Sequence, residues 1–197
     1  MKVSALTRIL VLLLISGLFF VAGQAGPERS VYVSEVAWSG TQASWADEWI
    51  ELGNATNRAI DLSGWTLSWD GVTIHLGTEK DNTLTVKNST IDPGGVILLE
   101  RSDDDPVSSI DADVIFKGSL ANSGETLVLR NSEGKVVQKI NGSEGWPAGT
   151  SSSGDPGYAS MELENGEWST HKDKGKNEDV AENLIYGTPG SLPGQSQ

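Results

Sequence analysis

Val31-Tyr-Val-Ser-Glu-Val-Ala-Trp38, then Asp47-Glu-Trp-Ile-Glu-Leu-Gly-Asn54, then Arg58-Ala-Ile-Asp-Leu-Ser-Gly-Trp-Thr-Leu67 carry the most structural information in this chain. Each is a short apolar run with charged residues set inside it, closed by Gly or Asn. That pattern belongs to twisted antiparallel strands and not to helices. Outward from it, strand candidates recur at Val31–Trp38, Glu48–Asn54, Trp65–Trp69, Val72–Leu76, Val96–Arg101, Val114–Phe116, Glu125–Arg130 and Val136–Ile140. Turn residues separate them. Asp70-Gly71 lies between two apolar runs and predicts a hairpin, because Gly accepts the positive φ that such a turn needs. Asn131-Ser-Glu-Gly134 predicts a second hairpin. Many short strands without helical periodicity between them predict an all-β sandwich or barrel. The best short helix candidate is Glu178–Ile185.

The chain has 197 residues and no cysteine, so disulfides contribute nothing and burial with backbone pairing must hold it together. Lys2 and Arg8 precede an apolar run, Ile9–Ala22, and small residues follow. The run is short for a bilayer, which needs ~20 apolar residues, and has the length of an export signal. Residues 1–25 therefore read as a signal peptide or an uncleaved N-terminal anchor, the only route to a membrane. The expected location is extracellular or on the cell surface. Residues 26–141 read as the sandwich. Residues 142–190 change to a Gly-, Ser- and Pro-rich and then charged composition; spaced aromatics favour an extension wrapping the sandwich through Trp146, Tyr158, Met161, Trp168 and Tyr186 over a disordered tail. Tyr158–Leu163 is expected to return as one edge strand, and 191–197 as a flexible tail. The formal charge of -13 argues against nucleic-acid partners, since an acidic surface repels phosphate backbones.

Candidate functional residues are few. In an extended Glu48–Leu52, side chains alternate, so Glu48, Ile50 and Leu52 share one face and Trp49 and Glu51 the other. If the first two strands pair, Glu35 and Glu51 come together. Calcium wants clustered carboxylate and carbonyl oxygens, which makes Glu35, Asp47, Glu48, Glu51 and Asn54 a candidate cation set. The plain alternative is edge carboxylates that are solvated or paired with Arg58 or Lys. Asp103-Asp-Asp105 lacks the Gly and distal Glu of a calcium loop and reads as a solvated loop. His75 and His171 stand far apart in sequence, and no Gly-x-Ser-x-Gly elbow is present, so no nucleophilic triad is legible. Seven tryptophans suggest stacking on sugar faces. Trp45, in a loop, and Trp69, beside a turn, are the exposed candidates, with packing under a loop as the alternative. An exposed Trp beside acidic residues favours a binding role; burial of all seven favours a spacer. Asn54, Asn88 and Asn141 each begin an Asn-x-Ser/Thr sequon.

These blocks resemble the lamin tail domain family, the immunoglobulin-like domain that ends nuclear lamins and also occurs in exported prokaryotic proteins. The likeness runs through Glu35-Val-Ala-Trp38 with Gly40, Asp47-Glu-Trp-Ile-Glu-Leu52 with Asn54, and Asp61-Leu-Ser-Gly-Trp-Thr-Leu67. It continues through Asp92-Pro-Gly-Gly-Val-Ile-Leu-Leu99, Asn122-Ser-Gly-Glu-Thr-Leu-Val-Leu129 and Gly134-Lys-Val-Val137. Trp146-Pro-Ala-Gly149, Ser160-Met-Glu162 and Gly187-Thr-Pro-Gly190 resemble the extension of the prokaryotic branch. The resemblance implies an antiparallel immunoglobulin-like β-sandwich with an irregular C-terminal extension. It also implies a non-catalytic binding or tethering module. Taken with the residues above, the expected partner is a cell-envelope protein or polysaccharide, and the expected cofactor is none unless calcium. The chain departs from lamins in having no coiled-coil rod and no basic surface. The competing classes are a small hydrolase using surface carboxylates and a structural spacer.

Overall fold

A computed structural model describes residues 30–78 and 84–195; the signal reading for residues 1–25 lies outside them. The strands are β1 Val31–Ala37, β2 Trp49–Asn54, β3 Ile60–Asp61, β4 Thr66–Trp69, β5 Val72–His75, β6 Leu84–Val86 and β7 Thr90–Ile91. They continue with β8 Val96–Arg101, β9 Val114–Phe116, β10 Thr126–Arg130, β11 Val136–Asn141, β12 Met161–Glu164 and β13 Glu167–Thr170. All eight strand candidates are present. The chain is an immunoglobulin-like β-sandwich: a seven-stranded sheet in the order β13-β12-β1-β2-β8-β9-β6 faces a four-stranded sheet in the order β11-β10-β4-β5. Among the described strands, β8 and β9 pair in parallel and the other pairings are antiparallel. The Asp70-Gly71 turn joins β4 to β5 as expected, with Gly71 at φ +71°.

Alternation along β2 places Ile50 and Leu52 in the central core, where they meet Val31, Val33, Val36, Leu67, Trp69, Ile97, Leu99 and Leu127. A register shift between Val33 and Glu35 turns the end of β1 over, so Val36 still points inward while Ala37 joins a second apolar cluster. The bulge would strand a backbone donor; the Val33 N–H instead donates to Gln138 Oε1 on β11, 2.7 Å away, which ties the two sheets. The second cluster, Ala37, Trp49, Leu98, Val107 and Ile185, covers the outer face of the large sheet. The β8–β9 loop supplies Val107 to it, and the C-terminal segment supplies Ile185. The central strands are therefore buried on both faces, which is why Trp49 and Glu51 are fully covered although they point away from the core.

The C-terminal region differs from the sequence expectation in two places. Its strand is Met161–Glu164, and it is not an edge: β13 pairs outside it while β1 pairs inside. Glu178–Ile185 forms no helix. The Asp179 carboxylate accepts from the N–H groups of Ala181 and Asn183 at 2.9 Å and from the Asn183 amide, folding the segment into tight turns. Such local bonds compete with helix formation. Trp146 stacks on Trp38 with ring centroids 6.1 Å apart and donates to Ala121 O, and Trp38 donates to Ala148 O. Leu192 is buried over Gly53. Among the described residues no helix is long and apolar enough to cross a membrane.

Candidate binding surface at Trp45 and the buried carboxyls behind it

The loop between β1 and β2 carries Trp45 on a fixed frame. Thr41 Oγ1 donates to Asp47 Oδ2 at 2.9 Å, and the Thr41 N–H donates to Ser44 O at 2.9 Å. The Ala43 N–H donates to Asp179 Oδ2, so the C-terminal segment buttresses the loop. Trp45 is 69% exposed, and Arg101, at the end of β8, places its guanidinium 5.5 Å from the ring centroid. Arg101 is itself held by Glu48 Oε1 at 3.1 Å. The loop that follows Arg101 brings in Asp103, close enough to Asp47 to help burial raise its pKa. The result is a rigid aromatic face with a cation against it and carboxylates around it.

Trp69, the other stacking candidate, offers no such face. It is 5% exposed, meets Phe116 edge-on at 5.6 Å, and donates Nε1–H to Ser119 O at 2.9 Å. Leu67 and Trp69 share a strand face, so the alternation that buries one buries the other; nearness to a turn does not expose it.

The five candidate cation ligands fall into four places. Glu35 and Glu51 do come together, as direct cross-strand partners on β1 and β2. Glu48 turns the other way, accepting from Arg101 and from the Leu120 N–H at 2.7 Å; burial still pushes it up to about 7. Asp47 is engaged by Thr41. Asn54 sits at the far end of β2, fully buried. Its amide donates to the carbonyls of Arg58, Ile91 and Asp92, and its Oδ1 accepts from the Thr56 N–H and hydroxyl. Asn54 is a loop cross-tie, not a ligand beside the acids. Among the described residues no three acidic or histidine side chains are grouped to hold a metal ion.

Glu35 and Glu51 belong to a buried network that sequence reasoning paired but did not complete. Its other members arrive from β12 and the C-terminal segment. Ser160 Oγ and the Thr188 N–H donate to Glu35 Oε1, the latter at 2.9 Å. Ser34 Oγ donates to Glu51 Oε1 at 2.9 Å, and the Gly190 N–H to Glu51 Oε2 at 2.7 Å. Gly187 must be glycine here: a Cβ would lie 2.6 Å from Glu35 Oε1 and 3.2 Å from Trp49. Burial, with Glu162 adding to it, pushes the Glu35 carboxyl up to about 8, and burial together with Glu35 holds Glu51 well above the ordinary range. Glu100, on β8, is also fully buried; burial and then Asp104 push it up to about 8. All these acids are sealed from solvent, so none can meet a substrate as the structure stands.

The lamin tail domain family model matches residues 24–143, which covers the sandwich through β11 and ends before β12. No curated protein matches the chain. The order of strands, the β1–β2 pairing that carries the Glu35 and Asp47–Leu52 blocks, and the match over more than half the sequence agree, and the chain belongs to the lamin tail domain family.

Proposed function

We propose that this lamin-tail-type sandwich is an exported, non-catalytic module of the prokaryotic branch that holds a cell-envelope polysaccharide on the face of Trp45. The observation that carries the reading is Trp45 itself: 69% exposed, yet fixed by a bonded loop and backed by Arg101. A ring held in place before binding loses little entropy on binding. One indole face suits a sugar ring, and the neighbouring carboxylates and amides suit its hydroxyls. A protein partner fits less well. Standard interfaces bury ~800 Å² per partner around several apolar anchors, and the exposed large apolar residues described here are only Trp45, Val136 and Val180. The sugar polymer is neutral or amine-bearing, because the acidic chain repels anionic ones. The hydrolase reading loses support because its raised carboxyls are buried away from any cleft, and the spacer reading because one tryptophan stays exposed. The hydrophobic run Ile9–Ala22 supports export.

The test is cosedimentation with insoluble envelope polysaccharide. The expected result is retention of the wild-type protein and a loss of at least ~30-fold for Trp45→Ala, the scale of an aromatic hot spot. Equal retention of the two proteins refutes the site. Release of new reducing ends during incubation refutes the non-catalytic reading.

A further inference from the structure

The Thr188 hydroxyl stands between two carboxyl groups, 3.0 Å from Glu35 Oε2 and 2.6 Å from Glu162 Oε1. It carries one proton and can donate to only one of them. The other acid must then carry its own proton and donate to the Thr188 oxygen. Glu162 is the acceptor, because its second oxygen is 2.9 Å from His171 Nδ1, and Glu162 in turn raises the pKa of that imidazole. The proton therefore lies on Glu35. The bonds form one directed chain, from Glu35 Oε2–H to Thr188 Oγ1–H to the Glu162 carboxylate, which the imidazolium closes.

We infer that the Gly187–Gly190 turn is a proton-held latch: with Glu35 neutral it stays clasped to β1 and β2, and loss of that proton at alkaline pH releases it. The groups facing the latch are known from each packed element. Glu35 comes from β1 and Glu51 from β2, with Tyr32 near Glu51; Glu162 comes from β12; His171 follows β13, with Asp173 beside it. Lys176 lies near Pro189 and Gly190 in a shallow depression, and Gly187–Gly190 brings no charged side chain of its own. Deprotonating Glu35 sets a second carboxylate against the Thr188 hydroxyl, which has one proton to offer Glu35 and Glu162. The folded pKa of Glu35 lies above its ordinary value, so closure is complete in acid and is lost as pH rises through about 8.

Release reaches further than the turn. The same C-terminal segment supplies Ile185 to the cover over Trp49 and Asp179 to the Trp45 loop, and it is bonded to Ser108 and Ser109 of the β8–β9 loop. Opening uncovers the Trp49 face and removes the buttress of Trp45. Only that last consequence rests on the proposed function.

The test is amide hydrogen exchange on the whole protein, read as protection factors at pH 6 and pH 9. The Thr188 and Gly190 amides are expected to lose at least tenfold in protection at pH 9, while Ile50 and Leu52 in β2 keep theirs. Glu35→Gln mimics the neutral acid: its Oε1 still accepts from Ser160 and Thr188, and its amide still donates to Thr188 Oγ1. That variant is expected to hold protection unchanged from pH 6 to pH 9. If it instead loses protection already at pH 6, or follows the wild-type fall, the proton is not on Glu35 and the latch is overturned. A measurement on the wild type alone covers the case in which the variant fails to fold. The Glu35 carboxyl carbon is expected to titrate with a midpoint above pH 7, and a midpoint near 4 overturns the proposal. No arm uses a ligand, so failure of Trp45→Ala to affect binding would remove the proposed function and leave the latch standing.

Discussion

Asn54 was a candidate both for a calcium ligand and for a glycan attachment point, and its geometry gives it a different task that mutation can measure. Its Nδ2 serves three carbonyls, those of Arg58 at 2.7 Å, Ile91 at 3.0 Å and Asp92 at 3.1 Å. Its Oδ1 takes the Thr56 N–H at 2.9 Å and the Thr56 hydroxyl at 2.7 Å. Two amide hydrogens and two accepted bonds make about four hydrogen bonds, each contributing about 1 kcal/mol net. Asn54→Ala removes them all. Some is recovered, because the Thr56 hydroxyl keeps its bond to Arg58 O and the loop has solvent nearby. The expected loss is about 3 kcal/mol, or roughly 6–12 °C in Tm for a domain of this size. Asn54→Asp separates the roles. A cation ligand would tolerate the carboxylate or improve with it. In the cross-tie the carboxylate faces three carbonyls with no proton to give, so Asp is expected to be worse than Ala at pH 7 and to recover as pH falls and it protonates. Urea unfolding of the three proteins at pH 7 and pH 5 reads both effects. A loss below about 1 kcal/mol for Ala, or an Asp variant as stable as wild type, refutes the reasoning.

Three further outcomes follow from the same structure. Burial pushes Glu35 and Glu100 up to about 8 and Glu48 up to about 7, above the ordinary 4.5, so their stabilisation is complete below about pH 4.5 and is lost as pH rises. Each such carboxyl lowers the unfolding free energy by up to ~1.4 kcal/mol per pH unit, so urea midpoints should fall from pH 5 to pH 8; a flat or rising series contradicts the assignment of protons. Trp69→Ala should cost about 3–5 kcal/mol in thermal or urea unfolding, because it empties the core beside Phe116, whereas Trp45→Ala should cost less than about 1 kcal/mol; similar losses would mean the two environments are misassigned. Calcium and a chelator should leave Tm unchanged, since the oxygens of Glu35 and Glu51 are already filled by protein donors; a calcium-dependent rise lost in Glu51→Gln would contradict that filling.

The sandwich was legible because its signals are local. The Asp70-Gly71 turn, the Glu133-Gly134 turn and the alternation in Glu48–Leu52 each depend on a few neighbouring residues, and the structure has the hairpins and the two faces they imply. The same alternation brought Glu35 opposite Glu51. Trp69 shows how one signal can mislead: its period-two relation to Leu67 pointed inward, while its nearness to a turn suggested exposure. Glu178–Ile185 holds acidic and apolar residues at helical spacing, but Asp179 and Asn183 bond their own backbone, a turn signal that was present in the sequence. The latch was not legible. Glu35 and Thr188 are 153 residues apart, and no periodicity reports a contact of that range. A glutamate in a strand also looks charged in sequence; only the second covering layer, built by the β8–β9 loop and the C-terminal segment, makes it a buried neutral acid.

The most direct measurement of the binding account is acrylamide quenching of tryptophan fluorescence with and without saturating soluble fragments of an envelope polysaccharide. Trp45 is the only strongly exposed tryptophan among the described residues, so quenching reports mainly on it. The account predicts that the glycan shields this ring and sharply lowers the quenching constant, and that Trp45→Ala starts low and does not respond. Unchanged quenching of the wild-type protein, at a glycan concentration at which it cosediments with the insoluble polymer, would place binding elsewhere and contradict the account.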